Sequence, residues 1–213
     1  MALSIYQLKP RFQVLLRPLV QVLFRAGVTA NQVTVFACVL SVALGVALYG
    51  LHLPHACFAL IPVWMLLRMG LNAIDGMLAR EHGQQTVLGA YLNELTDVLS
   101  DAALYLPFAR LALFDPFWIG VIVLLAALSE MAGVLGAAVG GERRYDGPMG
   151  KSDRAFVFGF FGLVVAFGGD APGANVAWLG LVTWVLPLVA GLTACSIYNR
   201  IRAGIRGVHE RRA

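Results

Sequence analysis

The sequence predicts an all-α membrane protein: six transmembrane helices preceded by an amphipathic surface helix, with both termini in the cytoplasm. Three observations lead there. Hydrophobic residues make up 59% of the 213 and charged residues only 13%, against about a quarter charged in soluble domains. Apolar stretches recur at roughly 33–51, 57–79, 88–112, 117–139, 154–170 and 176–198, each about long enough to cross the hydrocarbon of a bilayer. The basic residues, finally, gather on one side of those stretches.

The elements follow in order. Between Leu8 and Ala26, Phe12, Leu15, Leu16, Leu19, Leu23 and Phe24 alternate with Lys9, Arg11, Arg17 and Arg25. That pattern suits a helix lying on the cytosolic membrane surface, kinked at Pro18. Its charges are spread through the segment and no short isolated apolar core follows, so it is not read as a signal peptide. Arg80 lies between spans two and three. Arg143, Arg144, Lys151 and Arg154 flank the connection between spans four and five, and Arg200, Arg202, Arg206, Arg211 and Arg212 follow span six. The opposite loops, 50–56, 114–116 and 168–175, contain no Lys or Arg. The positive-inside bias therefore predicts an inner-membrane, multi-pass protein with this face in the cytosol. A basic face beside anionic headgroups accounts for the pI of 9.2 without nucleic acid. Cys38, Cys57 and Cys195 fall inside apolar stretches with no metal-like spacing. The chain reads as one membrane domain, residues 1–213.

Ionisable groups are costly in lipid, so those inside spans are candidate functional residues. Here they cluster. Asn72 and Asp75, three apart, share a face at the cytoplasmic end of span two, followed by Arg80. Asn93, Asp97 and Asp101, four apart, form one stripe of span three. A turn containing Gly83 makes the two helices antiparallel neighbours, so two carboxylates and two amide oxygens converge. Such hard oxygen donors suit Mg²⁺, Mn²⁺ or Ca²⁺, with a phosphate-bearing substrate completing the coordination. Gly76, Ala79 and Gly89 keep the same faces shallow, so a ligand can reach the backbone; small residues at membrane helix contacts serve packing as well.

The stretch Asn72-x2-Asp75-Gly76-x2-Ala79-Arg80-x8-Gly89-x3-Asn93-x3-Asp97 resembles the signature of the CDP-alcohol phosphotransferases, D-x2-D-G-x2-A-R-x8-G-x3-D-x3-D. Every spacing agrees, and six of the eight signature residues are identical. Val28–Thr34 is similar to the family's opening of span one, Pro-Asn-x-x-Thr, with Ala30 in place of proline. The resemblance implies transfer of a phosphatidyl group from CDP-diacylglycerol to a small polar alcohol, with release of CMP. Within the same class, a CDP-linked small alcohol and diacylglycerol are the other donor and acceptor arrangement. A non-catalytic lipid- or nucleotide-binding relative and a proton-coupled transporter are the readings outside it.

The resemblance also assigns residues. Asp75 and Asp97 would be metal-binding carboxylates, Asp97 also the base for the acceptor hydroxyl. Gly76, Ala79, Arg80 and Gly89 would form the nucleotide site, and a homodimer is implied. Both departures fall on metal positions: Asn72 and Asn93 stand where the family has its first and third aspartates. The site then holds one or two Mg²⁺ or Mn²⁺ ions, with Asp101 either supplying missing charge or bonding to another span. Arg68, four residues before Asn72, is a candidate accessory group, facing either a carboxylate or the donor phosphate. Gly150, Lys151 and Ser152 open span five, where helix N–H groups favour an anion. Lys151 and Arg154 are therefore expected as phosphate contacts, tilting the acceptor towards a phosphorylated one, although ordinary topology signalling also explains their charge. Glu130, deep in span four, needs a partner on a neighbouring helix.

Overall fold

The computed structural model describes residues 5–168 and 174–212. The regular elements among these are all helical: α1 (Ile5–Arg25), α2 (Ala30–Gly50), α3 (Leu60–Glu81), α4 (Val87–Tyr105), α5 (Pro116–Ala138), α6 (Lys151–Gly168) and α7 (Ala174–Arg212). Short 3-10 turns at His55–Ala59 and Leu106–Arg110 precede α3 and follow α4. Residues 169–173, in the expected loop after span five, lie outside the described residues.

Local chemistry sets the boundaries. Gly27 has φ 76° and supplies the left-handed step between α1 and α2. Thr29 then caps α2 in a reciprocal capping box with Gln32. Gly83, φ 67°, turns the chain after α3, and the Thr86 side chain accepts from the Gly89 N–H to cap α4. The third expected span ran to residue 112, but α4 stops at Tyr105 because Pro107 has no N–H to continue it and a 3-10 turn takes over. The surface helix α1 continues through Pro18 without interruption. Its Val20 is fully buried, and Leu16 and Leu23 pack with it on Ile74, Met77 and Leu78 of α3.

Four segments among the described residues are long and apolar enough to cross a membrane: Ala30–Gly50, His55–Glu81, Pro116–Ala138 and Gly180–Glu210. The expected spans three and five correspond to α4 and α6. These fall short by composition, since α4 carries Glu94, Asp97 and Asp101 and α6 opens on Lys151, Asp153 and Arg154. The outward faces are rich in large apolar side chains such as Leu66, Leu124, Leu135 and Trp184, as expected where lipid is the solvent.

Helix α2 packs on α3 and α4, α3 on α6, and α5 on α7. The main core sits at the end opposite the signature, where Phe108 meets Phe58, Phe114, Phe158 and Phe161 edge to face. That end is packed mainly by apolar side chains, with Arg110 and Asp115 bordering a cavity of about 530 Å³, and the signature residues lie at the other.

Candidate active site

The turn between α3 and α4 is tied to the start of α2. Gln84 Oε1 accepts from the Ala30 N–H at 2.8 Å, and Asn31 Nδ2 donates to Thr86 Oγ1 at 3.2 Å. The three helix ends then surround a cavity of about 930 Å³ lined by Asp75, Gly76, Ala79, Arg80, Gly89 and Asn93 together with Asn31, Thr34, Glu94 and Arg143. Six signature residues thus share one wall system. The glycines leave room for close approach: a Cβ on Gly89 would lie 2.6 Å from Asn31 Oδ1 and one on Gly76 2.9 Å from the Arg80 guanidinium, so those side chains would have to move.

A second cavity, about 560 Å³, opens between α3 and α6. Pro62, Met65, Leu66, Met69, Phe156 and Leu163 give it apolar walls, while Arg68, Asn72, Asp101, Lys151 and Ser152 form its polar end. Asp97 lines neither cavity, but three groups at the polar end of the second one hold it. Its Oδ1 accepts from Asn72 Nδ2 at 3.3 Å and Arg68 Nη2 at 3.0 Å, and lies 2.5 Å from Lys151 Nζ. One turn earlier on the same helix, Asn93 faces the larger cavity.

Several other polar groups are paired. The Thr34 hydroxyl donates to Asp75 Oδ2 at 2.7 Å, a contact that spacing along α3 does not reveal. Arg68 holds Asp101 Oδ1 at 2.5 Å as well as Asp97. Asp101 is thus engaged by α3 and, at 3.9 Å, by Arg154. Glu130 finds its partners in three arginines: Arg154 at 3.1 Å, Arg200 at 3.5 Å and Arg143 at 3.6 Å. Arg143 also bonds Glu94. Arg154 is fully buried, so the expected phosphate contact at this residue is not met by its placement: α6 turns it inward onto Glu130. Lys151 does reach a cavity. His82, the histidine nearest the signature, stacks on Phe24 with centroids 4.1 Å apart. Among the described residues no three His, Cys, Asp or Glu side chains converge as metal ligands; two of the four signature metal positions are the amides Asn72 and Asn93.

The profile of the CDP-alcohol phosphatidyltransferases matches residues 27–193. The chain belongs to this family. It is a transferase of the CDP-alcohol phosphatidyltransferase type. Its sequence is 48% identical over 164 residues to the inner membrane protein YnbA of Escherichia coli (strain K12), covering 77% of this chain and 81% of that one. It is 25% identical over 198 residues to the phosphatidylinositol phosphate synthase of Mycobacteroides abscessus, covering 90% and 85%. The fold is that of the Mycobacterium tuberculosis phosphatidylinositol phosphate synthase. The crystal structure with CDP-DAG bound gives a TM-score of 0.69 at 22% identity, covering 88% of this chain and 92% of that one. The structure in complex with manganese and citrate gives 0.68, again at 22% identity, covering 88% and 87%. With its four long apolar segments, this CDP-alcohol phosphatidyltransferase is an integral membrane protein.

Proposed function

We propose that the chain transfers a phosphatidyl group from CDP-diacylglycerol to a small polar alcohol and releases CMP. The observation carrying this is the pair of cavities, one bordered by the signature with its charged and amide side chains, the other apolar with a polar end formed by partners of Asp97. A CDP-lipid needs both environments: water-facing space for its nucleotide and apolar space for its tails. The known relatives named as phosphatidylinositol phosphate synthases and the CDP-DAG complex of one such protein support the donor assignment.

In this reading six helices, α2 to α7, span the inner membrane, and the basic signature end faces the cytosol. Helices α4 and α6 cross despite their charges because most of those charges pair within the bundle, while Asp153 is exposed at the very start of α6 and accepts from the Gly150 N–H. Gly76, Ala79 and Gly89 let the nucleotide approach the backbone, and Arg80 meets the diphosphate. The groove between α3 and α6 takes an acyl chain. Asp97 receives the proton of the acceptor hydroxyl as its oxygen bonds to the phosphorus bearing the diacylglycerol; the bond from that phosphorus to CMP breaks and the electron pair leaves with CMP. Lys151 and Arg68 hold Asp97 in place meanwhile. Such a transfer depends chiefly on positioning and on neutralising charge.

The donor set can be tested for metal on its chemistry. Asp75, Asp97, Asn72 and Asn93 offer hard oxygen atoms suited to Mg²⁺ or Mn²⁺, and the ammonium of Lys151 against Asp97 marks a place that already attracts a cation. Two carboxylates balance one divalent ion, so these residues fit a single ion completed by the donor diphosphate. When bound, it would withdraw charge from the phosphoryl oxygens. The deciding experiment is release of CMP from labelled CDP-diacylglycerol by purified protein, across candidate alcohols, with Mg²⁺, Mn²⁺ or chelator. No release with any alcohol under any metal condition would reject the reading, and release only from CDP-linked small alcohols would reverse donor and acceptor.

A further inference from the structure

An acceptor that carries a phosphate brings a dianion into the site and needs accessible cations to meet it. The described cations that line the two cavities or face their carboxylates are, Arg80 apart, engaged otherwise. Arg154 and Arg200 are buried, at 0% and 3% exposure, and both face Glu130. Arg200 also donates to the Ser129 carbonyl at 2.5 Å. Arg68 is buried between Asp97 and Asp101. The cations that do border open space are held by carboxylates as well: Lys151 by Asp97, and Arg143 by Glu94 and Glu130. Arg80 makes no ion pair among the described residues, and the donor diphosphate claims it in the reading above. A phosphorylated acceptor would have to pull Lys151 or Arg143 from its carboxylate, leaving that carboxylate unpaired beside a dianion.

We propose that the acceptor is an uncharged polyol rather than a phosphate ester, and that Glu130 sets this selectivity by holding Arg143, Arg154 and Arg200 together. The inference rests on the transferase reading for the site's location. It departs from the expectation drawn from Lys151 and Arg154 in the sequence, where both looked free. Glu130 is a positioning residue here: it touches no substrate, but it determines which arginines a substrate can meet. An uncharged hydroxyl compound asks only for hydrogen bonds, which the carboxylate oxygens and amides facing the cavities supply without breaking any pair.

The test compares matched acceptors on purified wild-type protein with CDP-diacylglycerol and Mg²⁺: glycerol against glycerol 3-phosphate, and inositol against inositol phosphate. The expected kcat/KM favours the uncharged member of each pair by at least about tenfold; preference for the phosphorylated members would overturn the proposal while leaving the transferase reading intact. In Glu130→Gln the phosphorylated acceptors should gain through a lower KM while the polyol KM stays put, a split that a merely structural role would not produce. A parallel readout needs neither turnover nor a variant. The thermal midpoint of the wild type, measured with CMP present, should not move with inorganic phosphate or glycerol 3-phosphate, and a saturable rise would overturn the proposal. If no acceptor of either kind releases CMP, the transferase reading fails, and the thermal measurement still decides whether the site binds phosphate.

Discussion

Replacing Gly89 with alanine tests the larger cavity at the point where geometry leaves least room. A Cβ there would lie 2.6 Å from Asn31 Oδ1, whereas ordinary contact begins at 3.4 Å. Asn31 must then retreat by the difference, about 0.8 Å, and its 3.2 Å bond to Thr86 must break or stretch; a misplacement of about 1 Å in a site that works by positioning costs on the order of 100-fold. The stability terms oppose each other. Alanine gains about 0.8–1 kcal/mol over glycine inside a helix, while crowding the Thr86 cap, whose Oγ1 would be 3.0 Å from the new Cβ, costs about 1 kcal/mol. The expected result is a thermal midpoint close to wild type with kcat/KM for CDP-diacylglycerol lowered by roughly ten- to a hundredfold. CMP release measured beside a detergent thermal melt separates the two effects. Activity within about twofold of wild type would refute the reasoning, because it would mean that the donor does not approach the chain at Gly89.

Other perturbations separate positioning from folding. Thr34→Val removes the 2.7 Å hydrogen bond to Asp75; a bond to a charged group is worth about 1.5–3 kcal/mol, so turnover should fall by roughly ten- to a hundredfold with the fold retained, as measured by CMP release and circular dichroism. Arg68→Met takes the nearest partner from the buried Asp101 and one of two cations from Asp97; breaking a buried pair costs about 3–5 kcal/mol, and the thermal midpoint should fall markedly. Lys151→Met removes a more exposed partner, its side chain 29% accessible against 6% for Arg68, and should reduce turnover with little change in the melt. Chelation should abolish CMP release. Metal analysis of the protein with donor bound should find one ion per chain, rising towards two in the Asn72→Asp, Asn93→Asp variant.

The parts of this molecule legible in the sequence are those decided within one helix or one turn. The faces shared by Asn72 with Asp75, and by Asn93 with Asp97 and Asp101, follow from helical spacing, and the Gly83 turn follows from glycine's access to positive φ. The amphipathic pattern of α1 marks a helix with one apolar face, but not that this face, around Val20, packs on α3. The illegible parts depend on the rotation of one helix against another. Thr34 and Asp75 are 41 residues apart and Arg68 and Asp101 are 33 apart, so no local pattern reports that they touch. Arg154 illustrates the limit best. Its place beside Lys151 in a basic cluster suggests a ligand, but α6 directs one of the two to a cavity and the other into the core. Only Glu130, a carboxylate needing a partner inside an apolar helix, signalled that some nearby cation would be consumed.

The two asparagines and the ion pairs have a common electrostatic consequence. Asn72 and Asn93 remove negative charge from the signature but keep oxygen donors. Across the site, Lys151 brings a cation to Asp97, and Arg68 links that carboxylate to Asp101. A second divalent ion would therefore meet fewer carboxylates and, at Asp97, an ammonium already in contact. Repulsion among these cations at close range in a poorly screened site is large compared with what two amide oxygens return. Beyond Asp101, Arg154 carries the same network to Glu130 and from there to Arg143 and Arg200. The residues that limit the metal demand and those that exclude an acceptor phosphate are thus linked by shared ion pairs. A change at Glu130 should consequently be felt at Asp97 through Arg154, Asp101 and Arg68, whereas a change at Arg80, outside that chain of pairs, should alter donor KM alone.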